Sequence, residues 1–336
     1  MNRQKIELKY VEHDVDFKLY WSLYDKFMDE VFENEEIGHI SGSDYLKQFN
    51  SNENKVYMHK LFGREIDTAF PVIFIINSEV VGFTTYCTYH SEDGKCLIVD
   101  YYILPEYRDS GLGSMFFERV KEAEINKGAK FFELNVSNRR NMNFWSNNGF
   151  KLTGVDEFGS VSMTTNKSNV FLSEINEENW IEAVNLKVHD WQKNYIGSSL
   201  GIIARGYVFR KSNAKVFGIE FCGDLIGLIM IRDIEEEPKC YEIQQFFIDC
   251  RFQDKGYGYV SLKLIIDYMY IERKYETIEI SVKREDTKAI NLYKKIGFIK
   301  TDYIDINSPD SINMLFYFED MDKMFSEKKR NLMNDN

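Results

Sequence analysis

Apolar runs broken by short polar turns come in two sets along this chain. In VIFIINSEVVGFTTYCTY, starting at Val72, two apolar stretches flank Asn77-Ser78, which predicts a hairpin, and KCLIVDYYIL from Lys95 supplies a third strand. From Leu112 to Asn126 the apolar positions Met115, Phe116, Val120 and Ala123 keep helical spacing, with Lys127-Gly128 as the stop. FFELNVS from Phe131 reads as a strand, and Asn141 to Asn147 as a short helix closed by Gly149.

The second set repeats that order. KVFGIEFCGDLIGLIMI from Lys215 predicts two strands about Gly223-Asp224, and EIQQFFID from Glu242 a third. Tyr257 to Arg273 has a helix pattern, TIEISVK from Thr277 is a strand, and Asp286 is placed to cap a helix from Thr287 to Ile296. Strands alternating with helices predict an α/β (α+β) architecture. Gly111 and Gly113 recur as Gly256 and Gly258, 145 residues later, and NFWSNNGF from Asn143 recurs as NLYKKIGF from Asn291, 148 residues later. Two motifs repeated in one order at nearly one separation indicate a duplicated domain. The polar stretch TTNKSN, starting at Thr164, marks the boundary, giving domains 1–166 and 167–320 and a polar tail over 321–336, read as a solvated or frayed helix.

Charge narrows the function. With 42 Lys and Arg against 54 Asp and Glu the formal charge is −12, and neither half is basic: 18 cations against 26 anions in 1–166, and 24 against 28 in 167–336. Nucleic-acid binding is disfavoured, because neutralising phosphates needs clustered cations, and an amine is the better electrostatic match. The five cysteines form no C-x-x-C pair and are odd in number, against a disulfide framework or a structural zinc site and for a reducing compartment. The opening residues MNRQKIELKY lack an apolar leader core, and the longest apolar run, near Phe70 to Ile76, is far below a membrane span. A cytoplasmic protein is expected. Oligomeric state is not readable, although a duplicated chain forms a pseudo-dimer within itself.

The candidate chemistry lies in RDSGLG (Arg108, Asp109, Ser110, Gly111, Leu112, Gly113) and QDKGYG (Gln253, Asp254, Lys255, Gly256, Tyr257, Gly258). Each follows a strand and opens a helix, so backbone N–H groups and the positive helix end converge where a pyrophosphate can sit. Phe116 and Ser261 replace the third glycine of a dinucleotide fingerprint, which therefore fails in both copies.

The longer pattern is R/Q-x-x-G-x-G after a strand, then a strand and a short helix ending in aromatic-x-x-x-G-F. It resembles the acetyl-CoA-binding motifs of the GNAT-type N-acetyltransferases, over roughly 70–165 and 170–318. In the second half QKNYIGSSL (Gln192 to Leu200), YEIQQFFID and QDKGYG resemble the bacterial spermidine/spermine acetyltransferases. The resemblance implies two tandem GNAT-like domains, each a mixed, mostly antiparallel sheet flanked by helices, with acetyl-CoA as cofactor and a small-molecule amine as acceptor.

By the same resemblance, backbone groups of Phe247, Ile248 and Asp249 would hold the pantetheine arm where that strand splays from its neighbour. Gln253 to Gly258 would bind the pyrophosphate, Asn291 would approach the sulfur, and Tyr293 would protonate the leaving thiolate. The first-half equivalents are Tyr102, Ile103 and Leu104, the turn Arg108 to Gly113, and Asn143. Trp145 stands where Tyr293 does, and an indole cannot act as that acid. The second half is therefore expected to be the catalyst and the first degenerate or supporting. Glu242, on the strand feeding the turn, is the expected base, direct or through water.

Bland readings compete at several positions. Tyr293 could simply pack its ring and Glu242 could be a solvated strand residue. Trp145 reads as core, Cys250 as a small packing residue, and His189 as structural. Asp100 reads as a base of the first half or as a structural carboxylate, and Glu235 to Glu237 as a charged hairpin loop. A chain that binds coenzyme A without chemistry is the alternative function.

Overall fold

The computed structural model describes residues 5–33, 51–136, 139–306 and 308–334. By compactness the chain divides into two units, one of Met1–Lys151, Phe158–Asn166 and Lys329–Asn336, the other of Leu152–Glu157 and Lys167–Lys328. Among the described residues no helix is long and apolar enough to cross a membrane.

The first sheet has the strands β1 (Ile6–Tyr10), β2 (Ala69–Ile76), β3 (Glu79–Thr88), β4 (Lys95–Ile103), β5 (Phe131–Val136), β6 (Lys151–Val155) and β7 (Val161–Thr164), in the order β1-β2-β3-β4-β5-β7-β6. The second has β8 (Val170–Glu174), β9 (Lys215–Phe221), β10 (Asp224–Ile234), β11 (Cys240–Ile248), β12 (Thr277–Lys283), β13 (Ile299–Lys300) and β14 (Ser311–Tyr317). Its order, β13-β14-β12-β11-β10-β9-β8, is the same topology read from the other edge. Each sheet holds a parallel pair among antiparallel ones, β4 with β5 and β11 with β12. The mixed, mostly antiparallel α/β architecture expected from the sequence is the one found.

The first unit carries the helices α1 (Asp14–Glu33), α2 (Asn52–Phe62), α3 (Leu112–Asn126) and α4 (Arg139–Asn147). The second carries α5 (Trp180–Asn185), α6 (Ser199–Val208), α7 (Tyr257–Glu272), α8 (Thr287–Ile296) and α9 (Phe318–Asn334) as far as Lys328. α3 and α8 have the bounds the periodicity predicts, and Asp286 caps α8 by accepting the Ala289 N–H at 3.1 Å. α7 stops one residue early, at Glu272, because Arg273 is left-handed. The second hairpin turns on Cys222-Gly223, not Gly223-Asp224; both have positive φ, as do Asn77 and Ser78 145 residues earlier, the geometry of a two-residue hairpin turn. The described part of the segment expected to be a polar tail, residues 321–334, lies within α9, whose Met321 and Phe325 are buried in the second core.

α1 and α2 bring Tyr20, Trp21, Tyr24 and Phe62 against Ile73, Phe83 and Tyr102 of the first sheet, a use for part of the chain's 15% aromatic residues. In the second unit one sheet face packs α7 through Ile229, Ile243, Ile265, Met269 and Ile280, and the other packs α5 and α6 through Ala183, Ile202, Leu228 and Met230.

The duplication extends to defects in the sheets. β4 bulges against β3 at Val99, and β11 bulges against β10 at Gln244, again 145 residues apart. β3 skips Val81 against β2, and β10 skips Ile226 against β9, at the same offset.

Candidate active site

Each phosphate-type turn is built from the backbone outward. Asp109 and Gly111 have φ of 57° and 80°, and Asp254 and Gly256 have 60° and 86°, so both turns bend through left-handed residues at matching positions. Gly111 and Gly256 cap α3 and α7, and a Cβ on either would meet nothing within 4 Å. The backbone conformation, not crowding, asks for glycine there. Gly113 differs, because its Cβ would lie 3.0 Å from the Phe144 ring; at Gly258 the nearest atom, in Leu292, is 3.5 Å away.

The first side chain of each turn reaches back to the strand. Arg108 Nε donates to the Ile103 carbonyl at 2.7 Å, and Gln253 Nε2 donates to the Ile248 carbonyl at 2.8 Å. Arg108 also forms a two-pronged ion pair with Glu30 of α1, at 2.5 and 2.7 Å, which holds the Glu30 carboxyl below its ordinary range. Gln253 instead donates to Gln192 at 2.9 Å. Both side chains are thus occupied within the protein, leaving backbone N–H groups as the turn's donors. Ser110 donates to the Tyr107 carbonyl at 2.5 Å and Lys255 to the Arg251 carbonyl at 3.2 Å, and Tyr257 packs its ring on Phe221. Asp109 pairs with Arg140 at 2.9 Å and Asp254 with Lys288 at 3.1 Å, a turn-to-helix ion pair present in both copies.

The strand feeding each turn opens away from its parallel neighbour. The β4/β5 ladder runs from Lys95↔Phe131 to Ile98↔Leu134, and that of β11/β12 covers only Tyr241↔Ile278 and Glu242↔Glu279. Beyond those pairs, 99–103 and 243–248 have no partner strand on that side among the described residues. The Leu104 N–H donates to Val81 and the Asp249 N–H to Ile226, toward the other neighbour. In an antiparallel strand the N–H and C=O of one residue point to the same side, so Ile103 and Ile248 face the opening, their carbonyls taken up by Arg108 and Gln253 and their N–H groups left toward it, while Tyr102, Leu104, Phe247 and Asp249 face away. Of the six residues expected to present backbone groups there, the central one of each triplet does so. The side chain of Asp249 is buried against the turn and accepts the Lys187 N–H (2.8 Å) and Arg251 N–H (3.0 Å); burial opposes its charge, but these bonds and Arg251 hold its carboxyl low.

A third pair of glycines, missed in the sequence, fixes this strand. A Cβ on Gly82 would lie 2.1 Å from the Tyr102 carbonyl oxygen, and one on Gly227 would lie 2.4 Å from that of Phe247. The signal was available, since 82 and 227 differ by the same 145 residues. In the first half a cavity of about 720 Å³ adjoins the turn, lined by Phe27, Tyr102, Arg108, Gly111, Arg140 and Phe144 among others.

The expected acid and its counterpart are both buried. Tyr293 packs against Phe298, and its hydroxyl makes no hydrogen bond with a described residue; burial and then the charge of Asp286 push it above the ordinary phenol range. Trp145 is enclosed by Tyr101, Phe117, Phe144 and Phe150, the core role expected of it. Asn143 and Asn291 are exposed on α4 and α8.

Glu242 is not solvated: it sits opposite Arg232 on β10 and the two form an ion pair. Asp100, buried on β4, has one carboxylate oxygen without a partner, and burial pushes it up to about 7. Cys250 donates its N–H to the Lys187 carbonyl, and His189 is exposed beside Trp191. The QKNYIGSSL segment braces the site, with Gln192 on Gln253, the Gly197 N–H on Gln245 at 2.9 Å, Ser198 capping α6, and Ser199 on the Leu186 carbonyl.

A split strand beside a glycine turn at a helix start, present twice, defines an acyltransferase-type fold, and the sequence profile of the Acetyltransferase (GNAT) family matches residues 33–150 and 173–298. The chain belongs to that family. It is 33% identical over 98 residues to the spermine/spermidine N(1)-acetyltransferase of Bacillus subtilis strain 168, covering 28% of this chain and 64% of that protein. To the spermidine N(1)-acetyltransferase of Escherichia coli K12 it is 30% identical over 82 residues, 24% of this chain and 44% of that one. The chain therefore spans less than two thirds of the length of these relatives. Among solved structures it is similar to a spermidine N-acetyltransferase from Vibrio cholerae in complex with CoA and spermine, at 20% identity and a TM-score of 0.39 over 46% of this chain and 99% of that one. It is likewise similar to a PaiA N-acetyltransferase from Thermoplasma acidophilum in complex with coenzyme A, at 17% identity and a TM-score of 0.38 over 48% and 98%.

Proposed function

We propose that this protein is an acetyl-CoA-dependent N-acetyltransferase acting on a primary amine of a small, polyamine-like molecule, with the second half as catalyst. The observation that carries the reading is the opening beside β11 next to the left-handed turn at Asp254 and Gly256. The site fits the cofactor: backbone N–H groups of Gln253 to Gly258 and the N-terminus of α7 would hold the pyrophosphate, and Ile248 would hydrogen-bond the pantetheine arm. Asn291 would lie near the sulfur. Bound there, acetyl-CoA supplies the activated acetyl group as a thioester.

The protein's own residues supply the rest. Strand N–H groups facing the opening would polarise the acyl carbonyl; a donor aimed at a developing oxyanion is commonly worth about 3 kcal/mol. Tyr293 would give its proton to the departing sulfur. Its hydroxyl is protonated at neutral pH and so present as a donor, while burial and the charge of Asp286 make it a weaker acid than a free phenol. The base is a carboxylate of the Glu242 face, where acidic groups concentrate. The first half has the same turn and opening, but Trp145 replaces the acid, so it is read as a coenzyme A site without turnover. Support for a polyamine-like acceptor comes from the named relatives and from the net charge of −12.

The test is release of free thiol from acetyl-CoA in the presence of spermidine, spermine, aminoglycosides, amino acids or peptide N-termini. Turnover with an amine is expected, and none with any amine at millimolar concentration overturns the reading.

A further inference from the structure

The sheet face that carries Glu242 holds a second carboxylate that no expectation singled out. Register places Arg232, Glu242 and Glu279 side by side on β10, β11 and β12. Glu279 pairs with Leu315 and Ser281 with Asn313 of β14, so Asn313 lies on that face too. The opposite face presents Tyr241, Ile278, Ile280 and Met314 to α7. Arg232 lies over the ring of Phe209, at the end of α6, with its guanidinium carbon 4.9 Å from the ring centre. The row therefore faces the α6 side, at the last rung before β11 and β12 part.

The hydrogen bonding on this row is lopsided. Arg232, its cation, is spent on Glu242. Glu279 forms no ion pair within 4.0 Å with a described residue, and Asn313, only 8% exposed, leaves its Oδ1 without a donor. Asp305, in the segment before β14, adds a further negative charge near Glu279. A buried acceptor without a donor is costly, and here the surplus consists of acceptors beside a carboxylate that the Asn313 amide holds but no ion pair with a described residue neutralises. A primary ammonium, a donor with one positive charge, matches that surplus.

We propose that Glu279, rather than Glu242, is the carboxylate that binds the acceptor's ammonium group and takes its proton, with Asn313 Oδ1 as a second acceptor. The assignment rests on the acetyltransferase reading above and names the residue that reading leaves open. In the step, the ammonium gives one proton to the Glu279 carboxylate and its freed electron pair attacks the thioester carbon. The C–N bond forms and the C–S bond breaks. The sulfur takes a proton from Tyr293, which is restored by the second proton leaving the nitrogen, so the net release is the single proton that Glu279 passes to solvent.

The groups facing Glu279 agree with the role. Burial raises its carboxyl pKa; Glu242 and Asp305 push the same way, against the Asn313 amide and Arg232. The first half lacks the arrangement: Cys87 and Leu97 occupy the register positions of Arg232 and Glu242, and Glu133, at the place of Glu279, is 3.6 Å from Lys95.

The experiment compares wild type, E279Q and E242Q in spermidine acetylation across pH, with coenzyme A affinity and thermal unfolding as controls. E279Q is expected to lose at least about 100-fold in kcat and to flatten the acidic limb of the pH profile, while binding coenzyme A within about twofold of wild type. E242Q is expected to keep the acidic limb. Should E279Q not fold, E279D carries the test, with a loss of at least about tenfold expected and full turnover overturning the assignment. Spermidine turnover by E279Q near the wild-type level, with its acidic limb intact, overturns the Glu279 assignment alone; a wild-type chain that acetylates no amine overturns the acetyltransferase reading and the assignment with it.

Discussion

Tyr293 and Trp145 occupy equivalent places on α8 and α4, 148 residues apart, and both side chains are buried next to the phenylalanine that follows the helix-closing glycine, Phe298 and Phe150. One position thus serves core packing in both halves, while a hydroxyl is present in only one. Tyr293→Phe should keep the packing and remove the proton. We expect kcat to fall by about 10²- to 10⁴-fold with coenzyme A affinity unchanged, read by thiol release and calorimetry; unaltered turnover would remove Tyr293 from the chemistry.

The two halves share their turn geometry and differ at the acid, so binding and turnover should separate. Titration with coenzyme A is expected to show two equivalents per chain, one for each turn. Gly113→Val, whose side chain would collide with Phe144, should abolish one equivalent and leave amine acetylation in place. A single equivalent in the unaltered protein would confine the cofactor to one half.

Glycines at the site divide by mechanism, and substitution should reveal the division. Gly227→Ala places a methyl 2.4 Å from the Phe247 carbonyl, backbone against backbone, and should cost about 1–3 kcal/mol in denaturant unfolding while shifting the strand that feeds the turn. Gly256→Ala meets no neighbour and should cost only the left-handed conformation, about 1–2 kcal/mol. A larger loss of coenzyme A affinity in Gly227→Ala than its stability loss explains would tie the strand's position to cofactor binding.

Asp100 makes stability depend on pH. Its carboxyl is raised to about 7 in the folded protein by burial, against about 3.9 in an unfolded chain. Between those values the native state holds a proton that the unfolded state has lost, so stability falls as pH rises from about 4 toward 7 and stays low above it. The contribution is about 4 kcal/mol, and Asp100→Asn should remove it, raising the melting temperature more at pH 8 than at pH 5. An equal shift at both pH values would mean that Asp100 ionises normally.

The sequence alone settled what is local or repeated. Periodicity located α3 and α8 to the residue, since a helix buries one stripe and its caps are written in adjacent positions. The glycine turns were legible because left-handed backbone selects for glycine, and the 145-residue offset exposed the duplication. What the sequence could not reveal was pairing. That Arg108 and Gln253 turn back onto Ile103 and Ile248 depends on how each turn folds over its strand, and that Arg232 takes up Glu242 with Glu279 beside them is a product of strand register between residues 10 to 47 positions apart. Register is a property of the assembled sheet: a carboxylate's charge is in the sequence, but its partner is whichever side chain the neighbouring strand brings opposite, and only the tertiary structure decides that.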